Sequence, residues 1–365
     1  MNTANELSHN RAGSRLRAAS ATASANDCNA IAIALISSDT TTRAAARLGR
    51  NGMQIGWIGL GRMGYAMAER VLKAGHTMRM WNRTRAKAAP LEAFGGQLVD
   101  HPHELANVDV LFMMLATGKD LEHVLFGAGG VLSTGGKPKL VVDCSSIGMD
   151  ESLSVRERLA EHGIALLAAP VSGNGHCVRA GKLSSVVSGP RAGFDLVEPI
   201  ITAYAPKGVT YVGEGELARI CKIAHNVMLG VVIENLIEIT LLAQKAGVPR
   251  HAFLAFMNNS VMGSLFTKYK SNALVNCDWS PTFTPELLRK DMELGLEAGR
   301  ALGVPLPVTA ATKEVIQMHI GTAATLADPA TYLAADFARM LETLATASGV
   351  RITPEDVPVP TGFED

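Results

Sequence analysis

The chain has 365 residues, of which 47% are hydrophobic and only 5% aromatic, and its 34 Lys plus Arg balance 34 Asp plus Glu. That length suffices for two domains with sizeable cores. The charge balance lacks the basic excess on which nucleic-acid and anionic-membrane binders rely, so the expected partner is a small molecule, with no nucleic acid and no membrane. Five cysteines, Cys28, Cys144, Cys177, Cys221 and Cys277, form no C-x-x-C pair. Their odd number fits a reducing compartment, and no metal-ligand spacing appears. Residues 1–52 are rich in Ala, Ser, Thr and Arg and lack the periodicity of the remaining chain. Two readings stand for them: a targeting segment, which would place the protein in the mitochondrial matrix, or sequence upstream of a true start at Met53 in a cytoplasmic protein. Glu6, Asp27 and Asp39 count against the first.

From Met53 the pattern is regular. "QIGWIGLG" is an apolar run that ends in glycines, "YAMAERVLKAGH" has helical spacing with a stop at Gly75, and "TMRMWNRT" is a second strand. Further strands are expected at "VDVLFMML", "KLVVDCSS" and "IALLAAPVS", with the helical "ESLSVRERLAEHG" between the last two. Strands alternating with helices predict a doubly wound parallel sheet over 53–215, which "KLSSVVSG" and "VTYVGEG" are expected to extend. After Gly215 nearly every segment to Gly349 has helical spacing. The first of these is a helix of about 30 residues, unbroken up to Gly247-Val248-Pro249, that joins the two domains. Its most apolar stretch, Val227 to Ala243, is interrupted by Glu234, Asn235 and Glu238, which marks a core helix and not a membrane span. The predicted fold class is α/β with an all-helical C-terminal domain (216–349). The proline-rich, acidic segment 350–365 is expected to be a loose tail.

Gly59, Gly61 and Gly64 form a G-x-G-x-x-G where a strand hands over to a helix. There the glycines permit a tight turn, close backbone approach to a pyrophosphate, and helix N-terminal N–H groups aimed at it. Leu60, Arg62 and Met63, between the glycines, are assigned to the same cofactor site, as are Leu115 and Ala116 where the "VDVLFMML" strand runs out. The second strand ends Trp81-Asn82-Arg83-Thr84-Arg85, without the carboxylate that binds the ribose hydroxyls of NAD. Arg83 can pair with a 2′-phosphate and Asn82 and Thr84 add neutral donors, so NADP is the better fit and NAD the alternative. Arg83 and Arg85 also read as solvated loop charges.

Together the segments from Met53 to Gly349 resemble the β-hydroxyacid dehydrogenases, a family that includes 3-hydroxyisobutyrate dehydrogenase and tartronate semialdehyde reductase. "IGWIGLGRMGYAMAERVLKAGHTMRMWNRT" is similar to the family's cofactor fingerprint and "DCSSIGMDES" to its D-x-S-[ST] segment, which implies Ser146 near the nicotinamide. "APVSGNGHCVRAGKL" resembles the substrate-binding stretch and implies Ser172, Gly173 and Asn174 around a substrate carboxylate. "GEGELARICKIAHN" matches the family's G-x-G-x(5)-K-x-x-x-N and carries its catalytic lysine and asparagine onto Lys222 and Asn226. "LLRKDMELGLEAGRALGVPLP" implies Lys290 beside the cofactor with Asp291 packing or capping nearby. The implied fold is a Rossmann-like domain followed by a helical one, and the implied reaction is hydride transfer between NADP(H) and a small 3-hydroxy acid or its semialdehyde. A homodimer or homotetramer is expected.

Lys222 and Asn226 lie four apart, on one face of their helix, where an ammonium can both stabilise an oxyanion and supply a proton. Without the resemblance, such a lysine reads more readily as a surface residue. His225 and His176 are set aside, because Lys222 already fills the acid–base role. Phe266, Trp279 and Phe283 are candidates to wall an apolar pocket, with core or subunit interface as the other reading. Ala168, Met149, Asn174 and the stretch Gly175-His176-Cys177 depart from the family pattern at the substrate side. The rival functions are an imine reductase on the same fold and a non-catalytic dinucleotide-binding interaction protein.

Overall fold

The computed structural model describes residues 52–364; the leader expected at 1–52 lies, Gly52 apart, outside them. In chain order the first domain contains β1 (Ile55–Ile58), α1 (Arg62–Lys73), β2 (Met78–Trp81), β3 (Gly96–Leu98), β4 (Val110–Met113), α2 (Gly118–Phe126), β5 (Leu140–Asp143), α3 (Met149–Glu161) and β6 (Ala165–Ala168). It closes with β7 (Val171–Ser172), α4 (Gly175–Arg179), β8 (Ser184–Val187), α5 (Arg191–Tyr204) and β9 (Gly208–Tyr211). Six strands form a parallel sheet in the order β3-β2-β1-β4-β5-β6. The chain winds outward from β1 one way and from β4 the other, which opens a crevice at the carboxyl ends of those two strands.

The strands are apolar on both sides because helices cover both. Trp57 of β1 points into one core, stacked on Phe112 at 5.3 Å with Tyr204 edge-on to both rings, while its neighbour Ile58 enters the core on the opposite side. Edge strand β3 has only three residues, too few for its periodicity to show in the sequence. The expected extension of the sheet is corrected: β8 and β9 join β7 in a separate three-stranded sheet, tied to the main one by a single bridge between Ala168 and Ser188. Pro170 comes two residues after the end of β6, and a proline cannot donate to a ladder, so the chain leaves the sheet there.

The second domain consists of α6 (Leu217–Lys245), α7 (Arg250–Asn259), α8 (Leu265–Asn276), α9 (Pro285–Leu302), α10 (Pro307–Ala323), α11 (Pro329–Ala334) and α12 (Met340–Ala347). Among the described residues α6, with 29 residues, is the one helix long and apolar enough to cross a membrane. Ile233, Leu236, Ile237 and Leu241 bury its inner face in the helical core with Leu288, Met292 and Ile316. Two glycines bring α6 and α9 close together. A Cβ on Gly230 would lie 2.4 Å from Met292 Sδ, and one on Gly295 would lie 2.1 Å from Val227 Cγ2. This close crossing sets the N-terminal turns of α6 beside those of α9, at the domain boundary.

The tail is not loose. Glu355 accepts the backbone N–H groups of Arg250 (2.8 Å) and His251 (2.9 Å), and Asn276 Nδ2 donates to Val357 O at 2.8 Å. Further on, Lys182 Nζ of the first domain donates to Gly362 O at 2.8 Å, and Phe363 stacks on Tyr269 and His176. Composition alone misses this. A proline-rich segment has little structure of its own, and the partners that fix this one lie far away in sequence.

Candidate active site

The turn from β1 into α1 forms one end of the crevice. Gly59 has φ +89°, and a Cβ there would come within 2.3 Å of Met114 O; a Cβ on Gly64 would be 1.9 Å from Gly59 O. Both positions therefore demand glycine, one for its left-handed backbone and the other for the close crossing of α1 over the loop. At Gly61 a Cβ would meet nothing within 4 Å, and no side chain caps the N-terminus of α1, so the turn has room beside it and its first N–H groups have no capping partner. An anion fits there because the helix dipole and the unpaired donors both favour negative charge. Asn82 Oδ1 accepts Leu60 N–H at 2.9 Å while its Nδ2 donates to Thr84 O at 2.8 Å, which stitches the glycine loop to the end of β2. Arg83 is exposed, its Nη1 3.7 Å from Asp120 Oδ1. The backbone of Leu115 donates to Ser145 Oγ at 2.9 Å, with Ala116 exposed next to it. These residues suit the pyrophosphate and ribose of a dinucleotide. Gly64→Ala is expected to weaken NADP(H) binding by about tenfold or more, since relieving such an overlap costs about 1–3 kcal/mol; fluorescence titration with NADPH checks it.

At the other end the close crossing of α6 and α9 assembles the polar cluster. Ser146, Ile147, Pro170, Lys222, Asn226 and Asp291 line a cavity of about 10 Å³ where the two domains meet. Asn226 Nδ2 donates to Asp291 Oδ2 at 2.6 Å, and Lys290 Nζ donates to Ser146 O at 3.1 Å. Lys222 is half-buried and closely surrounded by protein. Burial lowers its pKa to about 8, against the opposing pull of Asp291. Burial also pushes the Asp291 carboxyl up, opposed by Lys290, Lys222 and the Asn226 bond. The cluster thus holds a lysine poised to give or take a proton near neutral pH, flanked by a neutral amide that a carboxylate fixes.

A second, deeper group supports this wall, and sequence reasoning missed it. Arg219 is fully buried and paired with the equally buried Asp143 at the end of β5. Its guanidinium also donates to Ser145 O and to Ser152 Oγ. Ser145 Oγ in turn donates to Asp143 Oδ1 at 2.6 Å. Arg219 therefore clamps the first turn of α6 onto the loop that presents Ser146. The available signal was a carboxylate closing the apolar run "KLVVD", a position where an ionised group needs a partner.

Where the substrate carboxylate is expected, Ser172 Oγ and His225 Nε2 are 2.8 Å apart, and His225 Nδ1 and Asn226 Oδ1 are 2.9 Å apart. His225, set aside as an acid–base group, nevertheless joins two of the expected site residues: α6 carries it next to Asn226, and β7 brings Ser172 to meet it. Gly173 has φ +133°, and a Cβ there would lie 2.7 Å from Cys177 Cβ. Asn174 caps α4, its Oδ1 accepting His176 N–H (2.9 Å) and Cys177 N–H (3.1 Å), so that oxygen is committed to the helix. Phe266, Trp279 and Phe283 do not line the cavity; they pack against the helical core, with Trp279 Nε1 donating to Glu342.

Residues 54–213 match the family model described as the NAD binding domain of 6-phosphogluconate dehydrogenase, and residues 216–349 match that of NADP-dependent 3-hydroxyisobutyrate dehydrogenase. The 2-(hydroxymethyl)glutarate dehydrogenase of Eubacterium barkeri is 32% identical over 267 residues, 73% of this chain and 88% of that protein. The chain belongs to the β-hydroxyacid dehydrogenase family. It is accordingly an NAD(P)-binding oxidoreductase of the class that acts on hydroxyl groups. The 2-hydroxy-3-oxopropionate reductase of Escherichia coli is 31% identical over 264 residues, 72% of this chain and 90% of that protein. A 3-hydroxyisobutyrate dehydrogenase structure from Salmonella typhimurium shares the fold at a TM-score of 0.68 and 23% identity, covering 80% of this chain and 99% of that one.

Proposed function

We propose that this β-hydroxyacid dehydrogenase family member interconverts a small 3-hydroxy acid and its semialdehyde with NADP(H), using Lys222 as general acid and base. The observation that carries the reading is the lysine itself, lowered to about 8 by burial within a cavity that it shares with Ser146, Asn226 and Asp291. When bound at the glycine turn, the nicotinamide cofactor supplies or accepts the hydride. In reduction the Lys222 ammonium lies against the carbonyl oxygen, stabilises the charge that develops there and gives up its proton; in oxidation the neutral amine takes the hydroxyl proton. Asn226, held by Asp291, adds a neutral donor–acceptor that orients the reacting hydroxyl without changing the charge of the site. Ser172 and the backbone at Gly173 receive the substrate carboxylate, and Lys290 holds the Ser146 loop against the cofactor side.

NADP is favoured over NAD because the end of β2 offers Arg83 and no carboxylate. Arg83→Ala is expected to raise KM for NADPH by about tenfold or more while leaving KM for NADH within about twofold, since the lost charge-assisted contacts reach only the 2′-phosphate. Steady-state kinetics with both cofactors checks this, and equal effects on the two would remove Arg83 from cofactor choice.

The reading as a whole is tested by a spectrophotometric screen with NADPH and NADP⁺ against short 3-hydroxy acids, their semialdehydes and cyclic imines. Turnover of a carboxylate-bearing semialdehyde is the expected result. Turnover of imines alone would replace this reading with imine reduction.

A further inference from the structure

The hydrogen-bonded chain Ser172–His225–Asn226–Asp291 has a direction that its end groups fix. The Asp291 carboxylate only accepts, so Asn226 turns its amide nitrogen toward it, at 2.6 Å. Asn226 Oδ1 is then the atom that faces His225, and it too only accepts; Nδ1 of the imidazole, 2.9 Å away, must carry a proton. In the neutral ring this leaves Nε2 as a lone pair, and the Ser172 hydroxyl, 2.8 Å away, donates into it. The single proton of Ser172 is thus committed to His225, and Ser172 presents only lone pairs to the cleft. That is the wrong polarity for an anion.

We propose that His225 is the positioning residue that turns the Ser172 hydroxyl toward a substrate carboxylate, and that it takes up a proton from solvent as the carboxylate binds. The inference rests on the reading of Ser172 as the carboxylate site. The proton adds to Nε2, which then donates to Ser172 Oγ; the hydroxyl proton is released to the carboxylate oxygen. One N–H bond forms on Nε2 and one bond to hydrogen breaks in the hydronium ion or buffer acid that supplies the proton; the Ser172 O–H stays intact and only turns, so every other change is in hydrogen bonding. The resulting imidazolium also places a positive charge one residue behind the bound anion. One side of His225 opens to the cleft, where solvent protons can reach it, while surrounding protein desolvates the rest of the ring. Before binding, burial and then Lys222 hold its pKa below the ordinary value, against the pull of the bond to Asn226. The ring therefore starts neutral. The charged groups around it are Lys222 on its own helix and, through Asn226, Asp291 of α9 with Lys290 beside it; β7 contributes only the hydroxyl of Ser172.

The chemistry selected is that of a carboxylate monoanion. A neutral amide of the same shape brings no charge to hold the proton on His225, so the device discriminates acids from their uncharged isosteres at a position remote from the reacting carbon. It also accounts for a histidine directly beside the catalytic asparagine, where a plain apolar side chain would serve packing equally well.

Titration calorimetry on the NADP⁺-loaded protein tests this, with isobutyrate as an unreactive carboxylate probe and isobutyramide as the neutral control, at about pH 7.5 in two buffers of different ionisation enthalpy. Isobutyrate should bind with uptake of roughly half to one proton, and its affinity should fall by up to about tenfold per pH unit between about pH 7 and 8.5; isobutyramide should bind more weakly and without uptake. His225→Asn, which keeps a hydrogen-bonding side chain that does not titrate, should bind isobutyrate with an uptake lower by roughly half a proton or more than the unaltered protein and with a shallower pH dependence, the remainder being that of Lys222, whose pKa is about 8. Isobutyrate binding to the unaltered protein without proton uptake would overturn the inference and leave the carboxylate reading of Ser172 standing, whether or not the variant folds. Uptake that is undiminished in His225→Asn would overturn it as well. Failure of the unaltered protein to bind isobutyrate at all would remove the Ser172 reading and this inference together.

Discussion

Lys222→Ala is expected to lower kcat/KM for carbonyl reduction by about 10²–10⁴-fold, the range that a positioned proton donor contributes, while NADPH affinity stays within about twofold. In the proposed reading the cofactor is held by the glycine turn and the end of β2, and neither belongs to the cavity that Lys222 lines. The pH profile supplies a second readout. With Lys222 lowered to about 8, reduction needs the protonated form, so kcat/KM for the semialdehyde should fall as pH rises through about 8. Oxidation needs the neutral amine and should rise through the same value. In Lys222→Ala the rising limb of oxidation should vanish, and the falling limb of reduction should shrink to what the carboxylate binding linked to His225 leaves. A loss of only a few-fold, or an unchanged pH limb, would remove the lysine from the mechanism.

The same burial that tunes Lys222 works against the fold. Its ordinary value of 10.5 applies in the unfolded chain, which therefore binds the proton more tightly than the folded protein does. The contribution of Lys222 to stability should rise with pH between about 8 and 10.5, and below about 8 the charged lysine opposes folding by up to roughly 3 kcal/mol. Lys222→Met is expected to raise Tm at neutral pH while abolishing turnover. Such opposition between stability and activity is what a functional group in a poorly solvated position produces.

Local requirements are legible in the sequence. The glycine turn can be read because Gly59 and Gly64 are demanded by backbone geometry within a ten-residue neighbourhood, and the shared face of Lys222 and Asn226 follows from helical spacing alone. What cannot be read depends on partners far along the chain. His225 gains its meaning only from Ser172, 53 positions earlier, and Arg219 only from Asp143, 76 positions earlier. A lone histidine or arginine in an apolar helix carries no mark of which loop will meet it. The strands β8 and β9 are recognisable as strands but not as members of a second sheet, because pairing partners are set by tertiary contacts such as the exit at Pro170 and not by β propensity. The tail shows the same limit: Glu355 and Phe363 look like an acidic, disordered end until Arg250 and Tyr269 are seen beneath them.

The buried pair of Arg219 and Asp143 gives the second large expectation, on stability. Both side chains are essentially without solvent contact, and the guanidinium spends its remaining donors on Ser145 O and Ser152 Oγ. Arg219→Met would leave the Asp143 carboxylate buried with only the Ser145 hydroxyl and backbone N–H to hold it, and breaking one side of such a pair costs about 3–5 kcal/mol. Urea unfolding should show that loss as a shift of the midpoint. Adding Asp143→Leu to Arg219→Met removes the orphaned charge and should recover much of the stability, because an ion pair replaced by apolar groups of similar volume is often near neutral. Activity should not recover with it: Arg219 lies one turn before Lys222, and its bond to Ser145 O holds the loop that carries Ser146, the residue expected beside the nicotinamide. The double variant is therefore expected to fold nearly as well as the parent and to turn over at least about tenfold more slowly, which separates the pair's part in positioning the lysine from its part in holding the fold. If the single variant lost less than about 1 kcal/mol, or the double variant regained full activity, Arg219 would be a packing residue with no hold on the site.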